Sequence, residues 1–210
     1  MSHALDLFLD HIAQAGTEKE IEDALRRFVV ERGWTYFHFV WSCGAASQSC
    51  VLDPTGSLGN FPAEFLRRYV DARYYEDDRV NQKCANGVLP VVWGEACGEQ
   101  PGPRQRRIAR EAALHGLVSG VSAPVHGPGN RRGVLSVARF RPGAPEMTQP
   151  QAVRDLHMAA LHLHDTIWRQ ADSRQTRPDA PSLKPNETAC LSWAARGKSS
   201  REIGALSGVS

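Results

Sequence analysis

Residues 61–93, FPAEFLRRYVDARYYEDDRVNQKCANGVLPVVW, set two phenylalanines, three tyrosines, the pair Asp77-Asp78 and Trp93 within one short span. Phe61, Phe65, Tyr69 and Ala72 recur at steps of four and three, which predicts a helix with one apolar, aromatic face. After the acids the pattern predicts a short polar helix, then a strand, Val88-Leu89-Pro90-Val91-Val92-Trp93. An aromatic cage with one carboxylate and one indole N–H suits a mostly apolar small molecule carrying an amide or ester head. An amphipathic helix with solvated acids fits the same spacing, so the residues alone leave both readings open.

Upstream, Leu5, Phe8, Leu9 and Ile12 stripe a first helix that ends near Gly16. Thr17 and Glu20 have the spacing of a capping box, in which the hydroxyl accepts one N–H and the carboxylate reaches back to another. The helix they start carries Ile21, Ala24, Leu25 and Phe28 and stops at Gly33, a left-handed terminator. Residues 34–42, WTYFHFVWS, are aromatic and β-branched and read as a strand. A loop at 43–49 follows, then a short strand at Val51 and Leu52 before the turn at 53–56.

Downstream of Trp93 a polar loop leads to a helix at 104–114, closed by His115-Gly116. Two strands at 117–126 and 133–140 flank the hairpin signal Gly127-Pro128-Gly129-Asn130. A long helix at 149–170 places Val153, Leu156, Ala160, Leu163 and Ile167 in steps of three and four, the seam of a helix that packs along its length. Part of that seam is expected to cover the sheet and the rest to face a second subunit. The order α-α-β-β-α-α-β-α-β-β-α predicts an antiparallel sheet with helices on both faces, an α/β/α sandwich of the sensory, GAF- or PAS-like class.

At 210 residues the chain holds a full domain and a smaller one, and its formal charge of +2 is too mild to argue for nucleic acid by itself. The N-terminus is an amphipathic helix broken by acids rather than a leader, and no apolar run approaches the ~20 residues that span a bilayer. Five cysteines without metal or disulfide spacing point to reduced thiols, so the expected location is the cytoplasm. His157, His162 and His164 do not share one helix face, so no metal is expected. No nucleophile elbow or catalytic carboxylate pair is present, which argues against an enzyme such as a lactonase or acylase, and no cofactor is implied.

Residues 1–172 are therefore read as a sensory domain, 173–182 as a polar, Pro-containing linker, and 183–210 as a small helical unit. In that tail Asn186 is expected to cap a helix carrying Ala189, Leu191, Trp193 and Ala194, which ends at Gly197. Ser199 or Ser200 starts a second helix with Ile203 and Leu206. Two short helices joined by a Gly turn open a helix-turn-helix, whose groove-reading helix would follow the turn at Gly208. The expectation is an all-α helix-turn-helix cut short.

The tail pattern L-x-P-x-E-x-x-x-L-x-W-x-A-x-G-K-S-x-x-E-I-x-x-L-x-x-V-S runs from Leu183 to Ser210. With Phe65-x-x-x-Tyr69, Asp78, Leu89-Pro90 before Trp93, Gly120-x-Ser122-x-Pro124 and Gly133-x-Leu135-Ser136, it resembles the LuxR family of quorum-sensing transcriptional regulators. The resemblance implies an N-acyl-homoserine-lactone (autoinducer) receptor joined to a DNA-binding helix-turn-helix, acting as a homodimer or as a heterodimer with a related regulator. It implies that Asp78 accepts the ligand amide N–H, that Trp93 donates to the lactone carbonyl, and that Tyr69 and Phe65 are walls. Ser136 matches a hydroxyl position near the acyl carbonyl, Ser122 a small polar neighbour, and Gly116 and Gly120 corner glycines. Lys198 and Arg201 match phosphate contacts on DNA.

Two positions depart from that pattern. Phe61 stands where many members carry a tyrosine, which removes a hydrogen bond of roughly 0.5–1.5 kcal/mol, and Arg79 replaces a proline after the acid. A shortened helix-turn-helix carries the alternative of a non-DNA-binding receptor, an antiactivator that pairs with a full-length regulator or sequesters signal.

Overall fold

The computed structural model describes residues 2–43, 55–94, 102–140, 149–174 and 184–207. The loop after Cys43, the short strand expected at Val51 and Leu52, nearly all of the linker and the Gly208 turn lie outside the described residues. Two compact units divide the chain, Met1–Gln170 and Ala171–Ser210. Among the described residues no helix is long and apolar enough to cross a membrane.

The first unit is built on one antiparallel sheet of five strands, β1 Tyr36–Cys43, β2 Gly56–Gly59, β3 Val91–Trp93, β4 Ser119–His126 and β5 Arg131–Arg139, ordered β2-β1-β5-β4-β3. Its helices are α1 His3–Gln14, α2 Glu18–Glu31, α3 Ala63–Asp71, α4 Arg79–Asn86, α5 Pro103–Leu114 and α6 Pro150–Arg174. Apart from β2, which forms at a segment not expected to be a strand, the elements follow the expected order. β2 lies in Gly-Ser-Leu-Gly, a segment with little intrinsic β preference. It exists because it pairs with the edge of β1, Leu58 opposite Phe39.

Local signals hold where they are strong. Ser2 caps α1, and Thr17 and Glu20 form the reciprocal capping box of α2. Phe8 and Phe28 then meet with ring centroids 5.1 Å apart, joining the two helices. The aromatic helix is shorter than its spacing suggested: α3 starts at Ala63, behind Pro62, and leaves Phe61 just outside.

Strand alternation sends side chains to opposite faces of the sheet. On one face Phe37, Phe39, Val121, Ala123, Leu135 and Val137 are fully buried. There α6 lays down Leu156, Ala160, Leu163 and Ile167, all buried within this chain, with Val153 half-buried. That seam therefore belongs to the chain's own core, which corrects the expectation that part of it faces a second subunit. The buried Asp155 of α6 pairs with Arg32 at the end of α2 at 2.5 Å. Burial alone would raise this carboxyl, but hydrogen bonds from Ser2, Arg32 and Gln151 hold it below its ordinary value. His164 accepts from the Trp168 indole at 3.0 Å, and the Arg131 guanidinium lies 4.6 Å above that indole.

The opposite face carries His38 and Val40 on β1, Val134 and Ser136 on β5, and Ser122 on β4, and it is covered by α3, α4 and α5. Gly120 decides how this face is paved. It pairs with Trp93, and a β-carbon there would stand 2.1 Å from the Val137 carbonyl oxygen and 2.4 Å from the Trp93 ring. The bare backbone lets the indole lie flat on β4. Gly120→Ala is expected to lower stability by about 1–3 kcal/mol or more, since neither neighbour is free to retreat. An unchanged urea midpoint would show that the indole does not rest there.

Candidate functional site

Between that sheet face and helices α3–α5 lies a cavity of about 330 Å³. Phe61, Phe65, Leu66 and Tyr69 form one wall, Val80, Asn81 and Cys84 of α4 a second, and Gln105, Ile108 and Ala112 of α5 a third. Every residue singled out from the sequence for this site, Phe61, Phe65, Tyr69, Asp78, Trp93, Ser122 and Ser136, lines it.

The two adjacent acids part company. Asp77 turns outward to Arg104 of α5, at 2.7 Å. Asp78 is the N-cap of α4: its Oδ1 accepts the Val80 N–H at 2.9 Å, and its Oδ2 accepts the Tyr69 hydroxyl at 2.8 Å. Burial pushes the Asp78 carboxyl above its ordinary value, and the bonds from Tyr69, Val80, Gln105 and Asn81 offset part of that cost. Burial, then the neighbouring Asp78 charge, pushes the Tyr69 phenol well up, so it stays a donor. The Tyr69 hydroxyl and the Val80 N–H each hold one oxygen, so a ligand N–H would share the remaining acceptor positions with Gln105 and Asn81. Gln105 also accepts the Arg79 N–H at 3.0 Å, so the start of α4 is tied to α5 at two points.

Trp93 has a partner within the protein. Its indole N–H donates to Ser122 Oγ at 3.1 Å, and Ser122 and Ser136 share a hydrogen bond of 2.8 Å. A direct bond from Trp93 to a ligand carbonyl competes with this relay. Phe65 is buried against Leu117 and Ala138.

Sequence reasoning passed over His38. It sits opposite Ser136, which sits opposite Ser122, so the three form one row across β1, β5 and β4. The signal was the two-residue period of β1, which puts His38 beside Val40 and away from Phe37 and Phe39. Its ring stacks on Phe61 with centroids 5.5 Å apart, and burial lowers its pKa from 6.5 to about 4, so the imidazole is neutral. Asn81, Cys84 and Gln105 were also missed, because only the packing of α4 and α5 aims them inward.

Outside the cavity, Arg68 of α3 and Arg107 of α5 both reach Glu111, and both guanidiniums lie 5.9 Å from the Tyr74 ring. Hydrogen bonds led by Arg68, with Arg107 adding to them, hold the Glu111 carboxyl at about 2. This cluster pins α3 to α5. Among the described residues no group of His, Cys, Asp and Glu could hold a metal ion.

The second unit has helices α7 Pro185–Ala195 and α8 Ser200–Ser207. Asn186 is not the cap of α7, which corrects the expectation. Pro185 begins the helix, and Glu187 accepts the Lys184 N–H at 2.7 Å. Ser199 precedes α8 and bonds reciprocally with Glu202. Lys198 pairs with Glu202 at 3.3 Å, and Arg201 is exposed.

Over residues 17–167 the chain matches the family described as Autoinducer binding domain. It is 32% identical over 152 residues to the transcriptional activator protein RaiR of Rhizobium etli, covering 71% of this chain. The chain spans 62% of RaiR's length and 63% of that of a second curated relative. Its fold is similar to SdiA of Escherichia coli, at a TM-score of 0.71 and 17% identity over 98% of this chain and 83% of that one. It is also similar to the N-acylhomoserine-lactone-dependent factor CepR2 of Burkholderia cenocepacia, at a TM-score of 0.63 and 22% identity over 79% and 96% of the two chains.

Two outcomes follow from the electrostatics. Asp78 titrates higher when folded than when unfolded, so its ionisation costs stability as pH rises through the unfolded value. Asp78→Asn keeps a capping oxygen and removes the charge, and its melting temperature near neutral pH is expected to match or exceed the parent's. A clear fall would mean that the charge is well solvated.

His38 and His164 carry the opposite sign. Both are lowered to about 4 by burial, with Arg131 adding to the effect at His164. The unfolded chain therefore binds their protons more tightly, and their contribution to stability is complete above about pH 6.5 and lost as pH falls toward 4. The urea midpoint is expected to hold above that window and drop within it. A midpoint constant down to pH 4.5 would mean that both rings are solvated.

Proposed function

This chain belongs to the LuxR family of quorum-sensing regulators, and from that membership we propose that it is a transcriptional regulator answering to an N-acyl-homoserine lactone. The relatives it matches are named as transcriptional regulators, not enzymes. The observation that carries the ligand reading is Asp78: a carboxylate buried in an otherwise apolar, aromatic cavity, whose donors offset only part of its burial cost. Leaving such a charge short of partners is costly, and an amide N–H from a largely apolar molecule is a matching donor.

In this reading the amide N–H bonds Asp78, which Tyr69 holds in place. The ligand carbonyls face the Trp93–Ser122–Ser136 relay, where the hydroxyl proton left over from the serine pair is the donor and the indole orients it. Phe61 and Phe65 cover the molecule without bonding it, so the head is read mainly from the α4 and β4–β5 sides. The second unit supplies the start of a DNA-binding helix-turn-helix, with Lys198 and Arg201 toward phosphate, and the regulator works as a dimer. The similarity to CepR2, described as N-acylhomoserine-lactone dependent, supports the ligand class.

A ligand that binds only the folded state at a hundred times its Kd stabilises it by about 2.7 kcal/mol, roughly 5–10 °C for a protein of this size. Thermal denaturation against a panel of acyl-homoserine lactones is expected to give such a shift for one chain class. Asp78→Ala should abolish it and Trp93→Phe reduce it. A well-folded protein that no lactone stabilises would overturn the reading.

A further inference from the structure

We infer that His38 sets the choice of acyl chain, accepting ligands that carry a hydroxyl or carbonyl oxygen early in the chain and rejecting plain saturated ones. This rests on the lactone reading of the cavity and adds a residue that reads the tail rather than the head.

The argument begins with the row across the sheet. Ser122, Ser136 and His38 occupy successive strands on the cavity face. Ser122 and Ser136 are bonded to each other and Ser122 to Trp93, so this end of the row is satisfied within the protein. His38 is not: among the described residues nothing hydrogen-bonds its ring, although the ring lines the cavity and is stacked on Phe61. It stands one strand spacing from Ser136, about 4.8 Å, with Val40 and Val134 as apolar neighbours in the lining.

A neutral imidazole has one donor and one acceptor nitrogen, and leaving either buried without a partner costs more than a made bond returns. Water meets that need when nothing else does. A saturated chain laid against the ring displaces the water without replacing its bond, whereas a chain with an oxygen at that depth replaces it. The discrimination therefore comes largely from the penalty on the plain chain. If the acyl carbonyl lies at Ser136, the next oxygen along the chain falls within reach of His38. Phe61 fixes the plane in which the ring presents its nitrogens, so the missing tyrosine hydroxyl is offset by an aromatic support for another polar group.

The test compares lactones of equal chain length, plain, 3-oxo and 3-hydroxy, by the midpoints of their stabilisation curves with wild type and His38→Phe. Wild type is expected to favour an oxygenated ligand by roughly three- to tenfold. His38→Phe keeps a flat ring on Phe61 and should erase that preference by gaining affinity for the plain chain. A preference unchanged in His38→Phe overturns the role of His38 and leaves the lactone reading intact. Absence of any lactone effect in wild type overturns both. Should the variant fold poorly, the ring nitrogens of His38 in ¹⁵N-labelled wild type provide the second measurement. They are expected to shift with the oxygenated ligand and not with the plain one, and equal shifts refute the proposal.

Discussion

Asp78 uses one carboxylate twice, and the site depends on that double use. One oxygen caps α4 and so fixes where the helix begins; the other receives Tyr69 from α3. A capping carboxylate can stay in water, but this one is drawn into an apolar cavity and raised in pKa by burial. The bonds that hold it offset that cost only in part. The residue is a place where local helix formation, helix-to-helix packing and the lining of the cavity all bear on the same two atoms.

The remaining scaffold keeps that carboxylate's surroundings rigid. Asp77 to Arg104 and Gln105 to the Arg79 N–H moor the start of α4 to α5, while the Arg68–Glu111–Arg107 cluster moors α3 to α5. Each exposed ion pair contributes little on its own. Together they set the spacing of three helices over the sheet, which is a matter of geometry more than of stability. On the far side of the sheet the core is apolar, and α6 closes it with Leu163 and Ala160 fully buried. One face of the sheet supplies stability and the other leaves room.

The polar row on the open face shows how a β-sheet builds a recognition surface. Ser122, Ser136 and His38 are far apart in the chain and adjacent by register. Gly120 lets the Trp93 indole lie down at one end of the row, and Phe61 supports the imidazole at the other. The two ends differ in that the serines and Trp93 satisfy one another, while His38 faces the cavity.

Much of this was legible in the sequence, for identifiable reasons. The capping box at Thr17 and Glu20, the hairpin at residues 127–130 and the period of α6 are local signals, and local geometry is set by neighbours along the chain. The cavity residues Asp78, Tyr69, Trp93, Ser122 and Ser136 were found because their residue types and spacing match a known family pattern. Strand β2 was not found, because two glycines in four residues carry no β preference and only pairing with β1 makes them a strand. The partners of Trp93 were not found either, nor the inward turn of His38, Asn81 and Gln105. By itself the sequence determined the elements other than β2, their order, and a set of residues that come together to line one cavity. The tertiary structure decided which acid faces the cavity, which donor is bonded within the protein and which polar ring lines the cavity, because those depend on strand register and helix docking.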